Sequence, residues 1–179
     1  MSLILCIETS TTNCSVSIGK DDQILGLKEV NSKSFSHSEQ LHTFIKELFN
    51  QLKLSMLDLD AVSVSKGPGS YTGLRIGVSA AKGLAYALDL PLISVSTLEC
   101  LAKQIQINEG CVVPMLDARR MEVYSEVFDF DYNSIRQIKA EVLDHNSFDS
   151  YLEQTKVNFI GTGVEKFEAI CHHPNRIFH

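Results

Sequence analysis

The 179-residue chain has no tryptophan, four prolines and no apolar run long enough to span a bilayer. It has no low-complexity segment and no repeat of solenoid period. Its start, Met1 to Glu8, lacks a basic stretch and reaches a carboxylate almost at once, which argues against a usual secretory signal. Cys6, Cys14, Cys100, Cys111 and Cys171 form no C-x-x-C pair, and five is an odd number. A zinc ribbon and a secreted disulfide framework are thereby disfavoured, and buried, reduced thiols in a cytoplasmic protein are expected. Basic residues are the minority, 16 against 22 acidic, for a net charge of −6. Such a chain does not by itself attract phosphate backbones. What remains is an ordinary globular composition, 44% hydrophobic and 21% charged, without the bias of a disordered chain.

Short apolar runs and alternating segments predict strands over residues 3–7, 14–18, 24–30, 61–65, 92–95, 111–116, 122–130, 135–143 and 157–160. Leu41, Phe44, Ile45, Leu48, Phe49 and Leu52 recur at helical spacing, behind a Ser36-x-x-Glu39 capping box. Further helices are expected over about 72–88, 97–106, 147–154 and 164–171. Three strands followed by alternating helices and strands imply an α/β fold with mixed sheets. The opening looks ribonuclease-H-like, and a second, similar half begins near Cys111. The expected division is 1–108 and 109–179.

Several patterns bear on chemistry. In Ile7-Glu-Thr-Ser-Thr-Thr-Asn-Cys-Ser-Val16 a strand ends in a carboxylate and a hydroxyl-rich turn follows. Such a turn can aim backbone N–H groups at phosphate, or be a plain hairpin whose hydroxyls bond its own backbone. Gly67-Pro-Gly-Ser-Tyr-Thr-Gly-Leu-Arg-Ile-Gly77 can hold an anion at a helix start, or be a tight turn that needs glycine. It lacks the Lys-Ser/Thr ending of a P-loop. In the next helix Gly73, Gly77, Ala81 and Ala85 recur every four residues, with Gly83 alongside. Helical glycine is costly, so this flat stripe implies close approach, either by the chain's own sheet or by a second subunit.

His37, Glu39 and His42 lack metalloprotease spacing and read as a solvated helix start. His172, His173 and His179 look unconstrained. Gly161-Thr-Gly163 is an incomplete nucleotide fingerprint, with Lys166 where a third glycine would stand. Asp117 with Arg119 and Arg120 reads as a local ion pair.

The stretches 7–16 and 65–77 together resemble the bacterial TsaB (YeaZ) family. Supporting pieces are His37-Ser-Glu39, Lys82-Gly-Leu-Ala-Tyr-Ala87 and Asp117-Ala-Arg-Arg-x-Glu-Val-Tyr124. The resemblance implies an actin-like ATPase fold, of the sugar kinase and Hsp70 type (ASKHA, ribonuclease-H-like). It implies two similar halves, the second incomplete because relatives usually continue beyond His179.

The implied role is a non-catalytic subunit of the complex that forms threonylcarbamoyladenosine next to the anticodon of tRNA. The implied partners are a catalytic TsaD-like paralogue and a TsaE-like ATPase. A homodimer is the alternative for the free chain, and tRNA is met only through the complex. No cofactor, membrane or metal is expected, and the location is cytoplasmic.

Members of the family dimerise through their first two helices, which favours the subunit reading of the stripe. Leu41, Phe44, Ile45, Leu48, Gly73, Arg75, Gly77 and Ala81 become interface candidates, and Glu8, Thr9 and Ser10 a nucleotide vestige. The catalytic paralogue carries a His-x-x-x-His metal pair in an Asn-His-Leu-Glu-Gly-His run. Here Ser96-Thr-Leu-Glu-Cys-Leu101 stands in its place, so Thr97 and Leu101 replace the two histidines. Thr is a poor ligand for a transition metal and Leu is none. The alternative is a small actin-like ATPase or kinase using Glu8, Thr9 and Ser10. A metallopeptidase, an old label for the wider family, is disfavoured by the missing histidines.

Overall fold

The computed structural model describes residues 2–31 and 37–179, with the backbone alone for His37 and Ser38. The predicted Ser36 cap lies outside the described residues. The chain divides into two compact units, Met1–Thr97 and Leu98–His179.

In the first unit, β1 (Leu3–Glu8), β2 (Asn13–Lys20) and β3 (Gln23–Asn31) form an antiparallel meander. Helix α1 (His37–Leu52), β4 (Ala61–Ser65), α2 (Tyr71–Ala87) and β5 (Leu92–Val95) follow. The sheet order is β3-β2-β1-β4-β5, with β1, β4 and β5 parallel. The period-two pattern explains this. Leu3, Leu5 and Ile7 of β1 and Cys14, Val16 and Ile18 of β2 are all buried on one core. Leu41, Ile45, Leu48 and Phe49 of α1 and Ala81 and Ala85 of α2 close the same core.

The second unit repeats the plan. Helix α3 (Thr97–Ala102) leads into β6 (Cys111–Asp117), β7 (Glu122–Asp129) and β8 (Ser134–Val142). Helix α4 (Asp149–Leu152), β9 (Val157–Ile160), α5 (Val164–Glu168) and β10 (Arg176–Phe178) complete it. The order β10-β9-β6-β7-β8 is the first sheet's order with β6 in the place of β1. Again the first three strands are antiparallel and the last two add in parallel. Both units therefore have the ribonuclease-H-like sheet, and the fold is α/β and actin-like.

Some elements differ from expectation. The units divide at the start of α3, ahead of the expected 108/109, because Ala102 packs with Val112, Phe128 and Ile160 of the second unit. Helix α3 stops at Ala102, four residues early, in a turn closed by the Gln104 N–H on the Leu101 carbonyl. Strand β10 was not expected from the sequence. Three residues carry no period, and β10 forms because β9 offers a free parallel edge.

The second core is aromatic. Phe148, Phe159, Phe167 and Phe178 pack mostly edge to face, with Phe159 and Phe167 ring centres 4.9 Å apart. Phe159 and Phe167 are fully buried. Phe159→Ala is expected to cost about 3–5 kcal/mol, read as a lower unfolding midpoint in denaturant.

Cys111 is buried, and burial pushes its thiol up to about 11, so it stays protonated at neutral pH. Cys14 and Cys171 are also buried, Cys6 is half-buried and Cys100 is exposed. Among the described residues no helix is long and apolar enough to cross a membrane.

Candidate functional site

Strands β1 and β4 are parallel neighbours and end together at Glu8 and Ser65. The turn after β1 meets the turn after β4 there, which is where open α/β sheets place their sites. Glu8 accepts hydrogen bonds from the Ser10 N–H at 2.5 Å and from the Ser65 hydroxyl. The Thr9 hydroxyl donates to the Gly73 carbonyl at 2.8 Å, and the Ser70 N–H donates to the Ser10 carbonyl at 2.6 Å. Ser70 caps α2, its hydroxyl accepting from the Gly73 N–H at 3.3 Å.

The structure thus brings Glu8, Thr9 and Ser10 together with the glycine-rich turn. Their polar groups are largely spent on one another. The Ser10 hydroxyl is the exception, 1% exposed and without a hydrogen-bond partner among the described residues. Among the described residues no group of three or more His, Cys, Asp or Glu side chains could hold a metal ion. Glu39 and His42 are exposed on α1, and the His37 side chain lies outside the described residues.

Most of the expected interface residues face inward. Leu41, Ile45 and Leu48 are core residues, and Phe44 packs on that core from its edge. Gly73, Gly77 and Ala81 form the buried stripe of α2. The stripe is flat because Thr9, in the turn after β1, lies against it. A Cβ at Gly77 would fall inside van der Waals contact of the Thr9 hydroxyl oxygen. Within the chain, then, Gly77 has an internal reason to be small: it lies against Thr9.

Arg75 alone of that set is exposed. It marks the outer face of α2, which the periodicity argument missed. Tyr71 is 75% exposed and Tyr86 91%. Thr72, Ser79, Lys82 and Gly83 are exposed between them. The Arg75 guanidinium lies 5.4 Å from the centre of the Tyr71 ring. Thr72, Arg75, Ile76 and Ser79 line a shallow hollow of about 350 Å³. A Cβ at Gly83 would meet nothing within 4 Å, so no contact among the described residues accounts for this helical glycine.

A family model described as TsaD: tRNA N6-adenosine threonylcarbamoyltransferase matches residues 30–173. The tRNA threonylcarbamoyladenosine biosynthesis protein TsaB of Bacillus subtilis (strain 168) is 35% identical over 135 residues, covering 75% of this chain and 58% of the relative. The protein of the same name from Escherichia coli (strain K12) is 34% identical over 134 residues, covering 74% and 57%. The solved structure of YeaZ from Pseudomonas aeruginosa superposes with a TM-score of 0.84 at 25% identity, covering 100% of this chain and 84% of that one. The chain belongs to the TsaB (YeaZ) family. Its match spans somewhat under two thirds of these curated relatives, 58% and 57% of their length.

Two further motifs meet in the second unit. The turn after β6 carries Asp117-Ala-Arg-Arg120, and the turn after β9 carries Gly161-Thr-Gly163. Asp117 does not pair with the arginine side chains, as the sequence suggested. Its carboxylate accepts the Lys166 ammonium at 3.0 Å and the Arg119 backbone N–H at 2.5 Å. The Thr162 hydroxyl accepts the Asp117 N–H at 3.1 Å. Thr162 thus joins the two turns, and the residue in the third-glycine position, Lys166, holds the Asp117 carboxylate. His173 and His179 are tied rather than loose. His173 Nδ1 accepts the Asn175 N–H at 3.2 Å, and His179 Nε2 lies 2.9 Å from Asn158 Oδ1.

Partial burial alone would push the Asp117 carboxyl up. The Arg119 N–H and the Lys166 ammonium outweigh it and hold the carboxyl below its ordinary value of 3.8. A depressed carboxyl stabilises the fold above its unfolded value, and that contribution is lost as pH falls through the folded one. The stability difference between the chain and Asp117→Asn is therefore expected to be constant above about pH 5 and to shrink below pH 3.8. Thermal melts across that range test it.

Proposed function

We propose that this chain is a non-catalytic subunit in the formation of threonylcarbamoyladenosine next to the anticodon of tRNA. It docks a TsaD-like catalytic paralogue and supports it, with a TsaE-like ATPase as a third component and a cytoplasmic location. The outer face of α2 carries the docking part of this reading. Tyr71, Arg75 and Tyr86 are exposed there around small residues, and Gly83 has open space above it. Exposed aromatic and arginine side chains around small residues suit a helix-to-helix contact. The buried stripe on the opposite side fixes α2 to its own sheet and leaves this face to a partner.

The absence of catalysis rests on Thr97 and Leu101, which stand where the paralogue's two histidines would be. Neither side chain can hold a transition metal there.

Reconstitution tests the reading. Threonylcarbamoyl adenylate, unmodified tRNA, the catalytic paralogue and the ATPase are combined with and without this chain. Modified tRNA is expected only when chain and paralogue are both present. Product from the chain alone, or equal product without it, contradicts the reading. Magnesium-dependent ATP turnover by the lone chain would favour the small-ATPase alternative.

A further inference from the structure

The turn between β6 and β7 is built unusually. Arg119 and Arg120 are successive non-glycine residues in the left-handed region, at φ 74° and 47°. Side chains other than Gly, Asn and Asp avoid it, and such conformations persist only where the surroundings impose them, often at ligand sites.

Here the surroundings are explicit. The Lys166 ammonium, with its side chain 14% exposed, donates to Asp117 Oδ1 at 3.0 Å, to the Arg120 carbonyl at 2.6 Å and to the Glu122 carbonyl at 3.0 Å. The Ala118 N–H donates to the Glu122 carbonyl and the Glu122 N–H to the Arg119 carbonyl, both at 3.0 Å. The turn is closed from beneath, and it presents two exposed guanidinium groups that have no hydrogen bond or ion pair among the described residues. Beside them lies a hollow of about 470 Å³, with walls from Ala118, Met121 and Val142 as well as Glu122. Val142 is 70% exposed.

We propose that this turn is a contact for single-stranded RNA: Arg119 and Arg120 hold backbone phosphates, and the hollow takes an unstacked base. Arginine forks match phosphate oxygens, and splayed bases rest on apolar or guanidinium surfaces. The amides of Ala118, Arg119 and Glu122 are already spent inside the turn, so it offers little of the backbone cradle that a nucleotide phosphate uses. Side-chain contact from outside suits a polyphosphate backbone. Lys166 pairs with Asp117, and Glu122 at the edge of the hollow keeps an opposing charge. The choice of RNA as ligand rests on the tRNA-modification reading above.

The test is fluorescence anisotropy of a labelled tRNA anticodon stem-loop with the full chain, across a salt series. Arg119→Ala/Arg120→Ala is expected to lose about tenfold or more in affinity. Its plot of log affinity against log salt should flatten by roughly 1.4, at about 0.7 for each phosphate no longer neutralised. Lys20→Ala/Lys139→Ala removes the same charge from exposed sites elsewhere and is expected to change affinity less than threefold. Arg120→Gly removes side chain and strain together, so it should bind more weakly with a melting temperature no lower than the parent's.

The inference is overturned if the parent chain binds no stem-loop at low salt. It is equally overturned if both double variants lose affinity alike, or if the arginine variants bind as the parent does. It is also overturned if ATP displaces the RNA and the arginine variants lose ATP binding, which would make the turn a nucleotide site. Docking of the paralogue is measured separately. If docking and tRNA modification stand while RNA affinity ignores the arginines, only this inference fails.

Discussion

Gly77→Leu is expected to destabilise the chain itself, not merely to block its pairing. A single Cβ at Gly77 already overlaps the Thr9 hydroxyl oxygen. Thr9 is 1% exposed, and its hydroxyl is held by the Gly73 carbonyl. It cannot turn away without being left buried and unpaired, which costs about 1–3 kcal/mol. Gly77→Ala sets this and the overpacking against the better helix propensity of alanine, a gain of only about 1 kcal/mol. The net expectation is a loss of about 2 kcal/mol for Gly77→Ala and a larger one for Gly77→Leu. Denaturant unfolding of both variants checks this. A Gly77→Leu chain as stable as the parent would show that α2 does not sit as described.

Gly83 should behave in the opposite way. It is exposed on the same helix, and a Cβ there meets nothing within 4 Å. Gly83→Ala is expected to stabilise the chain by about 0.5–1 kcal/mol through helix propensity. Gly83→Trp should leave the melting temperature close to the parent's while weakening association with the paralogue by roughly a hundredfold, about 3 kcal/mol of binding free energy. Isothermal titration of parent and variant chains into the paralogue reads that loss. Equal affinities would remove the outer face of α2 from the interface.

The contrast between these two glycines shows what the sequence could reveal. Period-two and period-3.6 patterns place the strands and α1 and α2 because they record burial along one element. Strands β4, β5 and β9 have the bounds expected from sequence. The same periodicity finds the Gly73–Ala85 stripe but leaves open what lies against it. The deciding atom belongs to Thr9, which is distant in the chain and reached only through parallel pairing of β1 with β4.

The outer face of α2 was less legible for a related reason. Tyr71 and Tyr86 look like core residues by type, and only the fold turns them outward. Likewise, the role of Lys166 depends on α5 following β9 beneath the β6–β7 turn, a pairing that no local pattern encodes.

In the proposed function this chain works by docking a catalytic paralogue. Solution mass by light scattering tests it most directly, on the chain alone and mixed with the TsaD-like protein of the same organism. A one-to-one heterodimer that forms at the expense of any homodimer is the expected result. A folded chain whose mass is unchanged by the paralogue would contradict it.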